Sequence, residues 1–259
     1  MSKVGNMKEV IKKEEGALAI NSFEADADKG TQNIMQEDLA LPFLKVLMPL
    51  SPEVNKQHGK YAEGAKAGMI FNSVTKELYD GNKGVEVLPV YYKRHYVEWQ
   101  DRGESKGAPV AIHDAGSDIL NTTTRDKSFK DRLPNGNYLE NTANHFIILL
   151  EKTPTTALIS MKSTSLSVSR KWNSMMMGIK LQGKDGLFTP PTYSHIYKLK
   201  TVQMSNVKGT WFGWDVTKIG PVTNKSVYEI AKNFAKRVGK GEIQIKPEAD
   251  GAKRKTLSL

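Results

Sequence analysis

The sequence predicts an α+β fold, mostly β with appended helices, and three observations carry that prediction. The run Gly84–Trp99 (GVEVLPVYYKRHYVEW) is long, rich in β-branched and aromatic residues, and reads as one extended strand. Two pairs of apolar or alternating runs, 145–151 with 157–163 and 194–202 with 210–219, are separated by turn chemistry and read as hairpins. Two further segments switch to the 3.6-residue period and read as helices.

The elements follow in order. Residues 1–38 lack an apolar period and hold five lysines against eight acids, a net charge of −3. They are expected to form an acidic mobile arm. A single domain is expected over 39–240. It opens on LALPFLKVLMPLSPEV, where Pro42, Pro49 and Pro52 exclude a central helix and favour short strands. Gly68–Val74 reads as a strand, and Asp80-Gly81 marks a turn before the long run.

Residues 101–143 read as a loop insertion, with Gly103, Gly107, Pro109, Gly116, Pro134 and an Asn135-Gly136 turn signal. Their basic content suits a flap over a charged groove; a loose surface loop is an equal alternative. HFIILLE (145–151) is continuously apolar, as in a central strand buried on both faces. Val168, Trp172, Met175 and Ile179 share one helical face, in a helix expected to end at Gln182-Gly183. The hairpin 194–202 with 210–219 turns around Asn206 and Gly209. A last helix starts at Ser226, with Glu229 at capping-box spacing. Val227, Ile230, Ala231, Phe234, Ala235 and Val238 form its stripe, and Gly239 stops it. Residues 241–259 read as a basic disordered tail with Lys253-Arg254-Lys255.

Charge narrows the function. The formal net charge is +10 and the pI about 9.5, so residues 39–259 carry +13. A surface that basic concentrates polyanions. No apolar stretch approaches the roughly 18 residues of a membrane helix, so no membrane partner is expected. The charged N-terminus does not read as a signal peptide. Cysteine is absent, which excludes disulfides and cysteine-ligated zinc and fits a cytoplasmic protein.

Catalytic motifs are missing. Gly64-Ala-Lys-Ala-Gly68 lacks the ending of a phosphate-binding loop. The five histidines are dispersed, and no serine sits in a Gly-x-Ser-x-Gly setting. A metal-dependent nuclease using Asp114 and Asp118, beside His113, is an enzymatic alternative, but two acids and a His in a Gly-containing loop are common by chance. The chain reads as a binding protein, not an enzyme, with no metal and no cofactor.

Aromatic rings interleaved with cations suit a nucleic-acid strand, because bases stack on rings and phosphates sit near charges. The candidate contacts in the long run are Tyr91, Tyr92, Lys93, Arg94 and Tyr96, with Arg102 beyond it. Strand alternation places Val85, Val87, Val97 and Trp99 on the core side and Tyr92, Arg94 and Tyr96 outward. A bulge at Pro89 reverses one half, and then Tyr91, Lys93 and His95 are the exposed set. In the second hairpin Lys198, Lys200 and Trp211 point away from Tyr197, Leu199, Phe212, Trp214 and Val216. Arg170 and Lys171 flank Trp172 near a helix start, where they suit phosphates. Trp99, Trp172 and Trp214 are expected in the core.

The stretches PFLKVLMPLSPEV (42–54), EGAKAGMIFNSVTKELYDG (63–81), GVEVLPVYYKRHYVEW (84–99) and SVSRKWNSMMMGIKL (167–181) stand out together. With TPPTYSHIYKLKTV (189–202) and GTWFGWDV (209–216) they resemble a family of tailed-bacteriophage single-stranded DNA-binding proteins. The resemblance spans about residues 39–240. It implies an OB-like antiparallel barrel with insertions, and sequence-independent binding of single-stranded DNA in phage replication or recombination, in the host cytoplasm. It supplies no residue-level site. Many such proteins recruit partners through an acidic tail, whereas this chain ends in the basic GAKRKTLSL. The alternative is a phage regulator that binds a polymerase or another replication or transcription protein. Association into a homo-oligomer stays open.

Overall fold

The computed structural model describes residues 26–27, 29–35, 38–101, 108–207, 209–243 and 245. The chain divides into two units, Met1–Ala40 and Leu41–Leu259. Arg102, most of the acidic arm and the basic tail from 246 onward lie outside the described residues.

The second unit is built on a curled antiparallel half-barrel sheet. Its strands in chain order begin with β1 (Leu44–Val46), β2 (Ile70–Asn72), β3 (Leu78–Tyr79) and β4 (Val85–Trp99). The insertion supplies β5 (Ala111–Asp114), β6 (Thr124–Arg125) and β7 (Asp131–Arg132). Then come β8 (Tyr138–Leu149), β9 (Thr155–Lys162), helix α1 (Leu166–Met177), β10 (Leu181–Gly183) and β11 (Gly186–Phe188). The chain closes with β12 (His195–Asn206), β13 (Gly209–Pro221) and α2 (Lys225–Gly239).

Five of these strands pair in the order β13-β12-β4-β8-β9, all antiparallel. They form a three-strand meander, then α1, then a hairpin whose first strand returns to pair with the first strand of the meander. That arrangement is OB-like, a partly open five-stranded barrel, as expected. β1 lies beside β9, where Phe43 and Leu158 form a parallel bridge, and pairs with β2 in a small separate sheet.

The two faces of the sheet hold different clusters. On the inner face Val85, Val87, Ile147, Ile159, Tyr197, Leu199, Trp214 and Val216 converge on Trp172 of α1, which is fully buried. On the outer face Leu88, Val90, Phe146, Ile148 and Leu158 are covered by Val227, Ala231, Phe234 and Val238 of α2. Buried on both sides, β8 reads as an unbroken apolar run, which is why HFIILLE was legible.

Four local expectations are corrected. α1 ends at Met177, not near Gln182: Gly178 follows it, and its N–H bonds the Ser174 carbonyl at 2.9 Å. The chain then forms the β10–β11 hairpin, with Gly186 at φ 116°. α2 is capped by Asn224, not Ser226; its side chain accepts from the Val227 N–H at 3.2 Å. β8 begins at Tyr138, seven residues before the apolar run, because its first half pairs with β4 and β7. The insertion is pinned rather than loose. Arg132 grips Asp101 through two nitrogens at 2.8 and 3.1 Å, and its Nε bonds Asp126 at 2.8 Å.

The register of β4 settles its alternation. Pro89 lies opposite Ile147 and Tyr91 opposite Phe146, so Val90 is a bulged residue. Before the bulge Val85 and Val87 point inward. After it Tyr92, Arg94 and Tyr96 point inward, while Tyr91, Lys93, His95, Val97 and Trp99 share the outer face. Among the described residues, no helix is long and apolar enough to cross a membrane.

Candidate nucleic-acid interface

The bulge splits the aromatic and basic residues of β4 between two faces. Tyr92 is half-buried in the inner cluster, its ring 5.1 Å from that of His145. Tyr96 is buried, packing with Leu133 and Leu139 beneath the insertion. Arg94 is exposed and lies 5.8 Å from the Tyr96 ring. On the outer face Tyr91 packs against the end of α2 near Gly239, with the Lys93 ammonium 5.8 Å from its ring. Tyr92 and Tyr96 are therefore inward-facing rings, not outward ones.

The second hairpin keeps its predicted alternation. Lys198, Lys200 and Trp211 share the outer face, but Trp211 lies opposite Met204, four residues and about 13 Å beyond Lys200. Lys198 pairs with Glu86 at 3.6 Å and Lys171 with Asp215 at 3.4 Å. Lys200 and Arg170 are exposed. Trp211 is half-buried, and its Nε1 has no hydrogen-bond partner among the described residues.

A different constellation forms past the bulge, where α2 no longer covers the outer face. Trp99 and Tyr138 lie directly opposite each other on β4 and β8. The Lys162 ammonium stands 5.9 Å from the Trp99 ring and that of Lys130 3.9 Å from the Tyr138 ring. The Arg132 guanidinium is 5.6 Å from Tyr138. Two adjacent rings thus each carry a cation. Nε1 of Trp99 has no hydrogen-bond partner among the described residues.

These strands floor a groove of about 300 Å³ between the sheet and the 43–60 segment. His95, Val97 and Trp99 come from β4, Glu140, Thr142 and Asn144 from β8, and Ser160 and Lys162 from β9. Lys45, Glu53 and Lys60 form the far wall. The floor is tied by hydrogen bonds: Ser160 donates to Asn144 at 2.6 Å, and Asn144 Nδ2 meets His95 Nδ1 at 3.0 Å. Burial holds the His95 imidazole below its ordinary pKa; Asp114 opposes this and Lys93 reinforces it. Lys162 is paired with Glu140 at 2.9 Å. Lys60 makes no ion pair among the described residues.

Sequence reasoning missed Tyr138, Lys162, Lys45 and Lys60, counted Lys130 and Arg132 only among the basic residues of a flap, and favoured the core for Trp99. Trp99 is indeed 7% exposed, yet it borders the groove. The nuclease-like residues part company. His113 Nε2 meets the buried Glu98 carboxylate at 2.9 Å, while Asp114 lies 3.5 Å from His95.

No curated protein and no solved structure matches the chain. A family model does, that of the Pam3 phage gp34-like protein, over residues 12–244. The match covers the half-barrel, the insertion and both helices, and the chain belongs to this phage protein family.

Proposed function

We propose that this phage protein binds single-stranded DNA without catalysis, in replication or recombination within the host cytoplasm. The observation that carries the reading is the Trp99–Tyr138 pair. Two rings side by side, each beside a cation, lie at the open end of the outer face of an OB-like sheet. The faces of the second and third strands of such sheets bind oligonucleotides, and β8 and β9 hold those places here. A base would stack on Tyr138, the half-exposed ring of the pair, with the buried Trp99 beside it, while Lys162 and Lys60 at the groove reach the phosphates. The overall charge of +10 supports the same reading.

Anisotropy of a labelled oligo(dT) tests the placement. Tyr138→Leu is expected to weaken binding about fivefold or more, since one stacked base contributes roughly 1–3 kcal/mol. Trp211→Leu and Lys200→Gln are expected to change it less than twofold. The reverse pattern would move the interface to the hairpin.

A second reading, a regulator that binds a replication or transcription protein, is favoured by the β12–β13 end. Val202, Met204 and Val207 are exposed there. Its mark is a variant with all three replaced by Ser that loses a polymerase partner and keeps DNA binding.

A further inference from the structure

The hairpin of β6 and β7 carries an aromatic ring that the fold does not use. The two strands are joined by the loop Lys127-Ser128-Phe129, closed where the Asp126 N–H bonds the Lys130 carbonyl at 2.9 Å. The Phe129 N–H bonds the Asp126 carbonyl at 3.0 Å and completes the turn. The last residue of such a loop takes the left-handed conformation, and glycine ordinarily fills it. Here Phe129 stands there, at φ 62°. That backbone is strained for a bulky side chain. The ring is also 75% exposed, so packing does not offset the strain. Two costs at one residue, neither returned by the fold, mark a position kept for a ligand.

The loop is pinned. Asp126 Oδ1 accepts from the Ser128 and Lys130 N–H groups at 2.7 and 3.0 Å, and its Oδ2 accepts from Arg132 Nε at 2.8 Å. Arg132 in turn lies directly opposite Tyr138 on β8. Phe129 precedes Arg132 by three residues, at most on the order of 10 Å along the chain. Arg125 and Lys127, on either side of Asp126, are both exposed. A ring held in water with two cations beside it suits an unpaired base and its phosphates.

Building on the reading of the Tyr138 end as a strand-binding face, we infer that Phe129 is a further stacking residue for an unpaired base. The hairpin presents the ring to the strand, and Arg125 and Lys127 take the neighbouring phosphates.

Oligo(dT) anisotropy and urea unfolding of the same full-length variants test this. Phe129→Gly is expected to weaken binding about fivefold or more, the loss of one stacked base. Its unfolding midpoint is expected at or above that of the wild type, because glycine relieves the backbone. Phe129→Leu, apolar but without a π face, is expected to weaken binding similarly, and Phe129→Trp to keep it within about twofold. Replacing both Arg125 and Lys127 by Gln is expected to reduce the logarithmic salt slope by about 1.4, at roughly 0.7 per contact. An unchanged slope would overturn the role of the two cations. Loss of binding together with a lowered midpoint in Phe129→Gly would assign the ring to the fold and overturn the inference. Unchanged binding by Phe129→Gly would overturn it in favour of a protein partner and leave strand binding intact. Failure of the wild-type chain to bind would overturn the proposed function itself.

Discussion

The imidazole of His145 lies flat on the indole of Trp172, ring centroids 4.5 Å apart and planes 17° apart. Its Nε2 meets the Ser169 hydroxyl at 2.8 Å, so one residue of β8 is joined to α1 twice. Burial pushes the His145 pKa down to about 3. The contact therefore sets how the helix plugs the half-barrel, and it requires a neutral ring.

Acid should weaken the fold through this residue. An unfolded histidine titrates near 6.5. Between about 6.5 and 3 the unfolded chain binds a proton that the folded chain refuses. The contribution is whole above the unfolded pKa and is lost as pH falls toward 3. The slope is at most about 1.4 kcal/mol per pH unit. Urea unfolding at pH 7.5, 6 and 5 is expected to show this decline. His145→Gln has nothing to titrate there and is expected to show a shallower one. Equal slopes would contradict the assignment.

The cap of α2 separates two readings of its start. Asn224→Ala is expected to cost about 1 kcal/mol, and Ser226→Ala only a few tenths, since Ser226 is exposed within the first turn. Denaturant midpoints of the two variants check this. A larger loss at Ser226 would restore the capping box that its spacing suggests.

Gly81 marks a close approach between the turn before β4 and β12. A Cβ there would stand 2.0 Å from both the Gly68 carbonyl oxygen and the Thr201 hydroxyl. The Thr201 hydroxyl itself donates to Gly68 O at 2.5 Å. Gly81→Ala is expected to destabilise by on the order of 1–3 kcal/mol. Gly59→Ala, where a Cβ meets nothing within 4 Å, is expected to be nearly neutral. Thermal melts of the pair give the comparison.

The elements legible in the sequence were those with a local signature. The continuous apolar run of β8, the Asn206–Gly209 turn signal and the helical period of the Val227–Val238 stripe are each visible in a short stretch of sequence. The bulge at Pro89 was legible as an alternative, because proline disturbs a ladder; only the register against β8 decided it. The first half of β8, YLENTAN, was not legible. It is polar, and Arg132, Asp101 and Asp126 stabilise its surroundings from distant positions. The groove was hidden for the same reason. Its residues Lys45, Lys60, Trp99 and Lys162 come from separate parts of the chain, and no periodicity links them. The predicted set in 91–96 mixes rings and cations, but strand alternation with one bulge sends half of it inward.

Strand binding is the central claim, and a salt series tests it most directly. A labelled oligo(dT) and a duplex of equal length are titrated with the full chain between 50 and 300 mM salt (values of about that order span the steep part of such curves), recording anisotropy and tryptophan emission. The account predicts tighter binding of the single strand, a steep loss of affinity with salt, and quenching from Trp99. Weak binding, equal for both DNAs and without a tryptophan change, would contradict it.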